Sequence, residues 1–203
     1  VPLAVVDQIS ENPDSERTFD GESREITVMF SDIRSFTNIS EQMSANDLKN
    51  MLNEYFTEMT GIIFEKAGTI DKYVGDMVMA FWGAPLRDDH QQANAIDTAL
   101  QMLERLDAMQ PRLKEKGWPE IRIGIGINTG VMNVGDMGSS FRRSYTVLGD
   151  AVNLGSRLEG LTKYYGVRLI VSETTAEGLG DILLEANISK GYRVGQVNPN
   201  FGP

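Results

Sequence analysis

The segment Lys72–Gly83, which reads KYVGDMVMAFWG, restricts the possible folds more than any other part of the chain. Two apolar runs flank Gly75-Asp76, a dipeptide that favours a tight turn, so the segment predicts a β-hairpin. Asp is common in turns because its side chain bonds to nearby backbone groups. Local sequence therefore favours a plain turn role for Asp76, and only the rest of the chain can indicate another.

Composition excludes several classes of protein. The 203 residues are 41% hydrophobic, which fits one domain with a sizeable core. A net charge of −10 argues against nucleic acid or an anionic membrane as the main partner. The chain contains no cysteine, which excludes disulfides, thiolate zinc sites and cysteine nucleophiles.

Membrane and targeting signals are missing from the sequence. The longest apolar run, 77–86, has about half of the roughly 20 residues that span a bilayer, and no signal peptide precedes it. The sequence does not begin with methionine. We therefore expect a cytoplasmic domain cut from a larger protein, with no membrane contact of its own.

Hydrophobic periodicity predicts a regular order of strands and helices. The expected strands are Glu25–Ile33, the two arms of the hairpin, 121–128 with a short continuation at 131–135, Ser144–Leu148 and 167–171. The expected helices are Ser44–Lys66, one that begins at Asp88-Asp89 and is disturbed by Pro111, 149–165 and 174–179. This order predicts the α+β class, as a ferredoxin-like βαββαβ sandwich with helices on one face of a mainly antiparallel sheet and an additional β-α-β extension.

Two carboxylates end neighbouring elements of this sheet. Asp32 ends the first strand and Asp76 lies at the hairpin turn, so the two can be neighbours on one edge. Two adjacent carboxylates repel each other, and one is protonated unless a cation lies between them. A pair of divalent ions would relieve this repulsion, and oxygen ligands favour Mg²⁺, Mn²⁺ or Ca²⁺ over zinc. The alternative is two unrelated, exposed Asp residues.

A second polar pair lies on the helix 149–165. Asn153 and Arg157 are four residues apart and share one helix face. An amide and a guanidinium on one face can stabilise negative charge that develops on a phosphate. The alternative is a solvated polar stripe, and we expect His90, in the polar run RDDHQQ, to be solvated as well.

Four segments taken together resemble the class III nucleotidyl cyclases. They are FSDIRSFT (30–37), DKYVGDMVMAFWG (71–83), GIGINTGVMNVGDMG (124–138) and SYTVLGDAVNLGSRLE (144–159). Their order and spacing match that family from about Ile26 to Ser172. The resemblance implies a head-to-tail homodimer with active sites at the interface. It also implies a linker or arm at 1–22, a cyclase catalytic domain at 23–184 and an irregular tail at 185–203.

The resemblance assigns a role to each candidate residue. In one subunit it implies two Mg²⁺ or Mn²⁺ ions per site, with Ca²⁺ as an alternative at one position, held by Asp32, the Ile33 carbonyl and Asp76. Phe36 and Thr37 would contact the triphosphate. The residues expected from the other subunit are Lys72 and Thr146 for the base, Asn153 for the ribose and Arg157 for the charged transition state.

The implied enzyme is an adenylate cyclase, a phosphorus-oxygen lyase that converts ATP to 3′,5′-cyclic AMP and pyrophosphate. Guanylyl cyclases typically carry Glu at the position of Lys72, whereas Lys offers only donors and suits adenine N1. Most adenylyl cyclases carry Asp at the position of Thr146, whose hydroxyl can accept or donate and so discriminates less. The Lys/Thr pair resembles the bicarbonate-responsive soluble subgroup, which makes bicarbonate a candidate activator.

Three alternatives stay open at this point. The family's usual terminal V-K-G-K-like run is replaced by Ser189-Lys190-Gly191, so the phosphate-binding lysine is Lys190 or absent, with Arg142 and Arg143 as substitutes. The chain is alternatively a catalytically silent, nucleotide-binding cyclase-like dimerisation module, which would not require all four of its polar site residues. A Ca²⁺-binding module is disfavoured because no segment matches an EF-hand loop.

Overall fold

The computed structural model describes residues 21–139 and 143–179. In chain order these form β1 (Glu22–Ile33), α1 (Phe36–Gln42), α2 (Ala45–Glu65), β2 (Thr69–Val74), β3 (Met77–Trp82), α3 (Gln91–Glu115), β4 (Ile123–Gly138), β5 (Arg143–Leu148), α4 (Asp150–Tyr165), β6 (Leu169–Val171) and α5 (Glu173–Glu177). The expected tail at 185–203 and most of the expected arm lie outside these ranges, so the domain limits stay predictions.

The long α2 helix begins and packs as its sequence predicts. The Ser44 hydroxyl caps it by accepting a hydrogen bond from the backbone N–H of Asp47 at 3.1 Å. Helical spacing predicts a core-facing stripe of Leu48, Leu52, Tyr55, Met59 and Ile62. The last three are fully or almost fully buried, the two leucines are partly buried against the core, and Met51 is buried although the spacing did not include it. The stripe therefore fixes which face of α2 lies against the sheet.

The structure differs from the predicted elements in several places. The segment 131–135 continues the strand at 121–128, as predicted, but β4 runs on to Gly138, and the short helix α1 was not predicted. α3 begins at Gln91, because the Asp88 carboxylate instead accepts hydrogen bonds from the His90 backbone and the Asn94 side chain before the helix. The disturbance expected at Pro111 does not interrupt α3, which continues to Glu115 with Met109 and Leu113 buried on either side of the proline.

The sheet has the strand order β2-β3-β1-β4-β5, and all four of these pairings are antiparallel. β6 pairs in parallel with the first part of β4, on the side that β5 occupies further along that strand. The predicted α+β class and the mainly antiparallel sheet are therefore confirmed. No helix in residues 21–139 or 143–179 combines the length and apolar character that crossing a bilayer requires.

The expectation that helices cover one face of the sheet is wrong. β1 is buried on both faces, with Met29 in the core cluster beneath α2 and α3, and Val28 and Phe30 in a second cluster on the other side. α4 packs on that second side, where Gly155 lets the helix approach closely, because a Cβ there would lie 2.9 Å from Val28 Cγ1. A strand that is apolar on both faces needs a layer on each side.

The hairpin of β4 and β5 curls back across the second face of the sheet. The Tyr145 ring of β5 lies 6.2 Å from the Phe81 ring of β3, measured between centroids, and Val147 belongs to the second core cluster. β5 consequently contacts β2, although the two strands stand at opposite ends of the strand order.

Candidate active site

The end of β1 and the β2–β3 turn bring two carboxylates to one edge of the sheet. β1 and β3 are paired with Ser31 opposite Val78, which sets Asp32 and Ile33 beside the turn. Gly75 has φ of +63° there, a value that glycine adopts at little cost. The Ile33 backbone N–H donates a hydrogen bond of 3.0 Å to Asp76 Oδ2. We call Asp32, Ile33 and Asp76 the carboxylate edge.

The carboxylate edge is electrostatically unfavourable when it is empty. Partial burial, followed by the hydrogen bond and charge of Asp76, raises the pKa of Asp32 to about 7, and the charge of Glu159 adds to the effect. The backbone N–H of Ile33 acts in the opposite direction. Within the described ranges, no ion pair joins Asp32 or Asp76 to a basic side chain. A bound cation would remove this repulsion.

The donor set of the carboxylate edge suits a hard divalent ion. No cluster of three or more Asp, Glu, His or Cys side chains in the described part of the chain could hold a metal by itself. Mg²⁺ binding is typically completed by water and substrate phosphates around one or two carboxylates. Asp32 and Asp76, with the Ile33 carbonyl, therefore fit a metal that is bound together with a phosphate-bearing substrate.

Two residues beside the carboxylate edge were not predicted as part of the site. Tyr55 of α2 is completely buried, and its pKa is raised chiefly by that burial and further by the charges of Asp76 and Asp32. Glu159 of α4 is half-buried, and burial and the charge of Asp76 raise its pKa, whereas Arg34 lowers it. Glu159 belongs to the motif 144–159. Its proximity to Asp76 depends on how α4 packs against the sheet, which the sequence does not show.

Lys72 and Thr146 meet through a third residue that the sequence did not single out, Asp71. The Asp71 side chain is 1% exposed, and its Oδ1 lies 3.4 Å from Lys72 Nζ. Its Oδ2 accepts a hydrogen bond of 2.5 Å from the Thr146 hydroxyl. We call these three residues the β2–β5 bridge, since it joins the two ends of the strand order.

Asn153 and Arg157 lie on the outer face of α4. Both are exposed, whereas Val152, Gly155 and Leu158 of the same helix are buried. The polar pair therefore points away from the sheet that α4 covers. No described hydrogen bond or ion pair connects it to the carboxylate edge or to the β2–β5 bridge.

The remaining predicted residues are less constrained by contacts. Phe36, at the start of α1, is partly buried against the core, whereas Thr37 is exposed. His90 is exposed, as predicted. Lys190, Arg142 and the side chain of Arg143 lie outside the described residues, so their phosphate-binding roles stay predictions.

Solved structures of two cyclases have the same fold. The guanylyl cyclase Cya2 matches with a TM-score of 0.74 and 35% identity, over 79% of this chain and 81% of that one. The adenylyl cyclase CyaB from P. aeruginosa matches with a TM-score of 0.74 and 34% identity, over 80% of this chain and 83% of that one.

Curated relatives and a family model give the same answer. The chain is 42% identical over 149 residues to adenylate cyclase 1 of Rhizobium meliloti (strain 1021), which covers 73% of this chain and 22% of that protein. It is 38% identical over 161 residues to an adenylate cyclase of Anabaena cylindrica, which covers 77% and 31% respectively. The chain thus spans less than a third of these relatives. The sequence model of the adenylate and guanylate cyclase catalytic domain matches residues 20–197, and the chain therefore belongs to that family.

Proposed function

We propose that this domain converts ATP to 3′,5′-cyclic AMP and pyrophosphate, with divalent metal ions and at the interface of a homodimer. The observation that carries the proposal is the convergence of Asp32 and Asp76 on one edge, where neither has a basic partner among the described residues. Such a pair suits a reaction that brings its own metal ions and phosphates.

The reaction is an intramolecular displacement. The 3′-hydroxyl of the ribose loses its proton to water, and its oxygen forms a bond to the α-phosphorus. The bond from that phosphorus to the pyrophosphate oxygen breaks, and pyrophosphate leaves. Metal ions at the carboxylate edge would supply acidity for the 3′-hydroxyl and draw charge from the triphosphate. Asp32 and Asp76 would hold the metal ions in place. Arg157 would stabilise the negative charge that develops on the α-phosphoryl group. The chain needs no nucleophile of its own.

Adenine is the base that the residues favour. The structural neighbours include both a guanylyl and an adenylyl cyclase, so the shared fold does not decide the substrate. The Lys72 ammonium, with a side chain 48% exposed, offers only donors and suits adenine N1. The curated relatives reported above are both named adenylate cyclases, which supports the same choice.

A homodimer would bring the separated groups into one site. In a single chain, the exposed pair Asn153 and Arg157 points away from the sheet, and no described bond connects it to the carboxylate edge. A two-fold, isologous arrangement of identical chains is the commonest closed assembly and would form two equal sites. The silent-module alternative is weaker because the chain carries all four residues Asp32, Asp76, Asn153 and Arg157.

Incubation with ATP and Mn²⁺, followed by chromatographic identification of the product, tests the activity. Cyclic AMP and pyrophosphate in equal amounts are expected, and unchanged ATP at concentrations where the dimer forms would contradict the proposal. A parallel incubation with GTP measures the substrate preference.

Mixing two inactive variants tests the shared site. When Asp32→Ala and Arg157→Ala chains are mixed in equal amounts, half of the dimers are mixed, and each mixed dimer has one intact site. We therefore expect about a quarter of the parent activity. If mixed dimers are shown to form and the mixture stays inactive, the two residues do not act across an interface.

Two finer expectations are not tested by any described feature. The bicarbonate response stays a prediction, as does the choice among Mg²⁺, Mn²⁺ and Ca²⁺. Titration of the active enzyme with each metal ion and with bicarbonate would decide both.

A further inference from the structure

We propose that Asp71 is a positioning residue for substrate choice: it holds the Thr146 hydroxyl proton, and so makes Thr146 a hydrogen-bond acceptor that selects adenine over guanine. The inference rests on the proposed function, because it concerns how the same site recognises its base.

The geometry of the β2–β5 bridge fixes the direction of one proton. The Thr146 hydroxyl lies 2.5 Å from Asp71 Oδ2. A carboxylate can only accept hydrogen bonds, so the single hydroxyl proton of Thr146 must point toward Asp71. The Asp71 side chain is 1% exposed, and therefore water cannot readily replace Thr146 as its donor.

Because the hydroxyl proton of Thr146 is used in the hydrogen bond to Asp71, only the lone pairs of this oxygen are available to a ligand. The residue is 7% exposed, so a base could contact it through one small group. Adenine carries an amino group, a donor, where guanine carries a carbonyl oxygen, an acceptor. Adenine would gain a hydrogen bond to Thr146, whereas guanine would place two acceptors against each other. The expectation that this hydroxyl serves both bases is therefore replaced by a preference for adenine.

Asp71 also restrains the second base-contact residue. In a regular strand, consecutive side chains point to opposite faces. The pairing of β2 with β3 shifts register between Ile70 and Lys72, and this irregularity allows the Lys72 ammonium to lie 3.4 Å from Asp71 Oδ1. Within the described residues Asp71 Oδ1 makes no hydrogen bond, and the Lys72 ammonium supplies the positive charge that compensates this oxygen. One carboxylate thus orients both side chains that would read the base.

The experiment compares the ratio of kcat/KM for ATP to kcat/KM for GTP in four chains. Asp71→Asn keeps the shape of the side chain, and its amide oxygen should face the Lys72 ammonium, which turns the NH2 group toward Thr146. That NH2 group donates to Thr146 and frees the hydroxyl proton. Thr146→Val removes the hydroxyl at nearly constant volume. We expect each substitution to lower the ATP:GTP ratio about tenfold, the effect of one hydrogen bond. Thr146→Ser is the matched control, since it keeps a hydroxyl that Asp71 can orient, and its ratio should equal that of the parent.

The double variant Asp71→Asn/Thr146→Val separates positioning from general damage. If Asp71 acts through the Thr146 proton, the ratio in the double variant should equal that of Thr146→Val alone. Two independent tenfold losses that multiply would overturn the proposal, as would an unchanged ratio in Asp71→Asn. If Asp71→Asn does not fold, Thr146→Val still decides, because an unchanged ratio in that variant excludes the hydroxyl as an acceptor for adenine.

Failure of the proposed function gives a different result. In that case the parent chain forms neither cyclic AMP nor cyclic GMP, and no ratio exists. An active parent whose ratio does not respond to these substitutions overturns only the role of Asp71 and Thr146.

Discussion

The carboxylate edge and the β2–β5 bridge both contain acidic side chains, and they differ in how the negative charge is compensated. At the carboxylate edge, Asp32 and Asp76 oppose each other, and the pKa of Asp32 rises to about 7 because of burial and of Asp76. In the β2–β5 bridge, Asp71 is more deeply buried but has Lys72 and Thr146 as partners within the chain.

The difference separates two uses of a buried carboxylate. A carboxylate that has a hydrogen-bond donor and a counter-charge within its own chain holds these neighbours in defined orientations. Two carboxylates left without a counter-charge make the empty protein less stable and bind a cation more strongly. The first arrangement therefore indicates positioning, and the second indicates a ligand site.

Neutralising the carboxylate edge should have the largest effect. We expect Asp32→Asn and Asp76→Asn each to lower kcat/KM for ATP by about a thousandfold or more, because metal ions contribute several kcal/mol to such reactions. The measurement is steady-state cyclic AMP formation at saturating Mn²⁺. Glu120→Gln, which removes an exposed carboxylate paired with Arg122, is the control and should keep the parent rate. Activity within about tenfold of the parent would refute the metal assignment.

Reversing the charge in the β2–β5 bridge should change the substrate. We expect Lys72→Glu, added to Thr146→Val, to lower the ATP:GTP ratio of kcat/KM about tenfold to a hundredfold below that of Thr146→Val alone, because adenine N1 would then face a carboxylate without a donor. Lys66→Glu, which reverses a lysine paired with Asp97, is the control, and its ratio should not change. An unchanged ratio in a folded, active Lys72 variant would show that this residue does not read the base.

In the absence of metal ions, replacing an Asp by Asn should change the free energy of unfolding differently in the two regions. We expect Asp71→Asn to lower the free energy of unfolding by about 1–3 kcal/mol, because it weakens a buried charged hydrogen bond. Asp32→Asn should leave that free energy unchanged or raise it, since it removes repulsion from Asp76. Urea denaturation in EDTA measures both values. A destabilised Asp32→Asn, with Asp71→Asn unaffected, would reverse the comparison.

The smallest expected effect is a pH dependence of the metal-free protein. An Asp carboxyl has an ordinary pKa of 3.8, whereas the pKa of Asp32 in the folded protein is about 7, so folding favours its protonated form. This contribution to stability is present at low pH and is lost as pH rises through about 7. Asp76 and Glu159 face Asp32 with like charge, and Tyr55 lies beside them.

The matching measurement is the unfolding temperature from about pH 4 to pH 8 in EDTA. As pH rises over this range, the unfolding temperature of the parent should fall relative to that of Asp32→Asn. Saturating Mn²⁺ should remove the trend in the parent. An identical pH profile in both chains would mean that Asp32 titrates normally.

Sequence reasoning could predict the carboxylate edge because its determinants are local. A strand that ends at Asp32 and a turn at Gly75-Asp76 are both visible in short segments, and antiparallel pairing of neighbouring strands then brings their ends together. The metal role assigned to them stays a prediction. The helix α1 was missed because it has only 7 residues and one buried side chain, Ile39, too few to show a helical period.

The β2–β5 bridge could not be predicted in the same way. Asp71 and Thr146 are 75 residues apart and stand at opposite ends of the strand order. Their contact depends on the curl of β4, which runs to Gly138, beyond the end predicted for that strand. The position of Asp71 next to Lys72 was visible, but alternation along a regular strand would have placed the two side chains on opposite faces.

The curl of the β4–β5 hairpin also bears on how the chain reaches its final state. The hydrogen bond from Ile33 to Asp76 joins β1 to the β2–β3 turn, whereas the one from Thr146 to Asp71 joins the two ends of the strand order. β5 is linked to β2 only through the strands that lie between them, so the bridge should close after the central strands have paired. A chain with an open hairpin still presents its carboxylate edge but has no oriented hydroxyl. A nucleotide that contacts both Lys72 and Thr146 binds only the closed chain and stabilises it by mass action. Recognition of the base then coincides with the last step of folding.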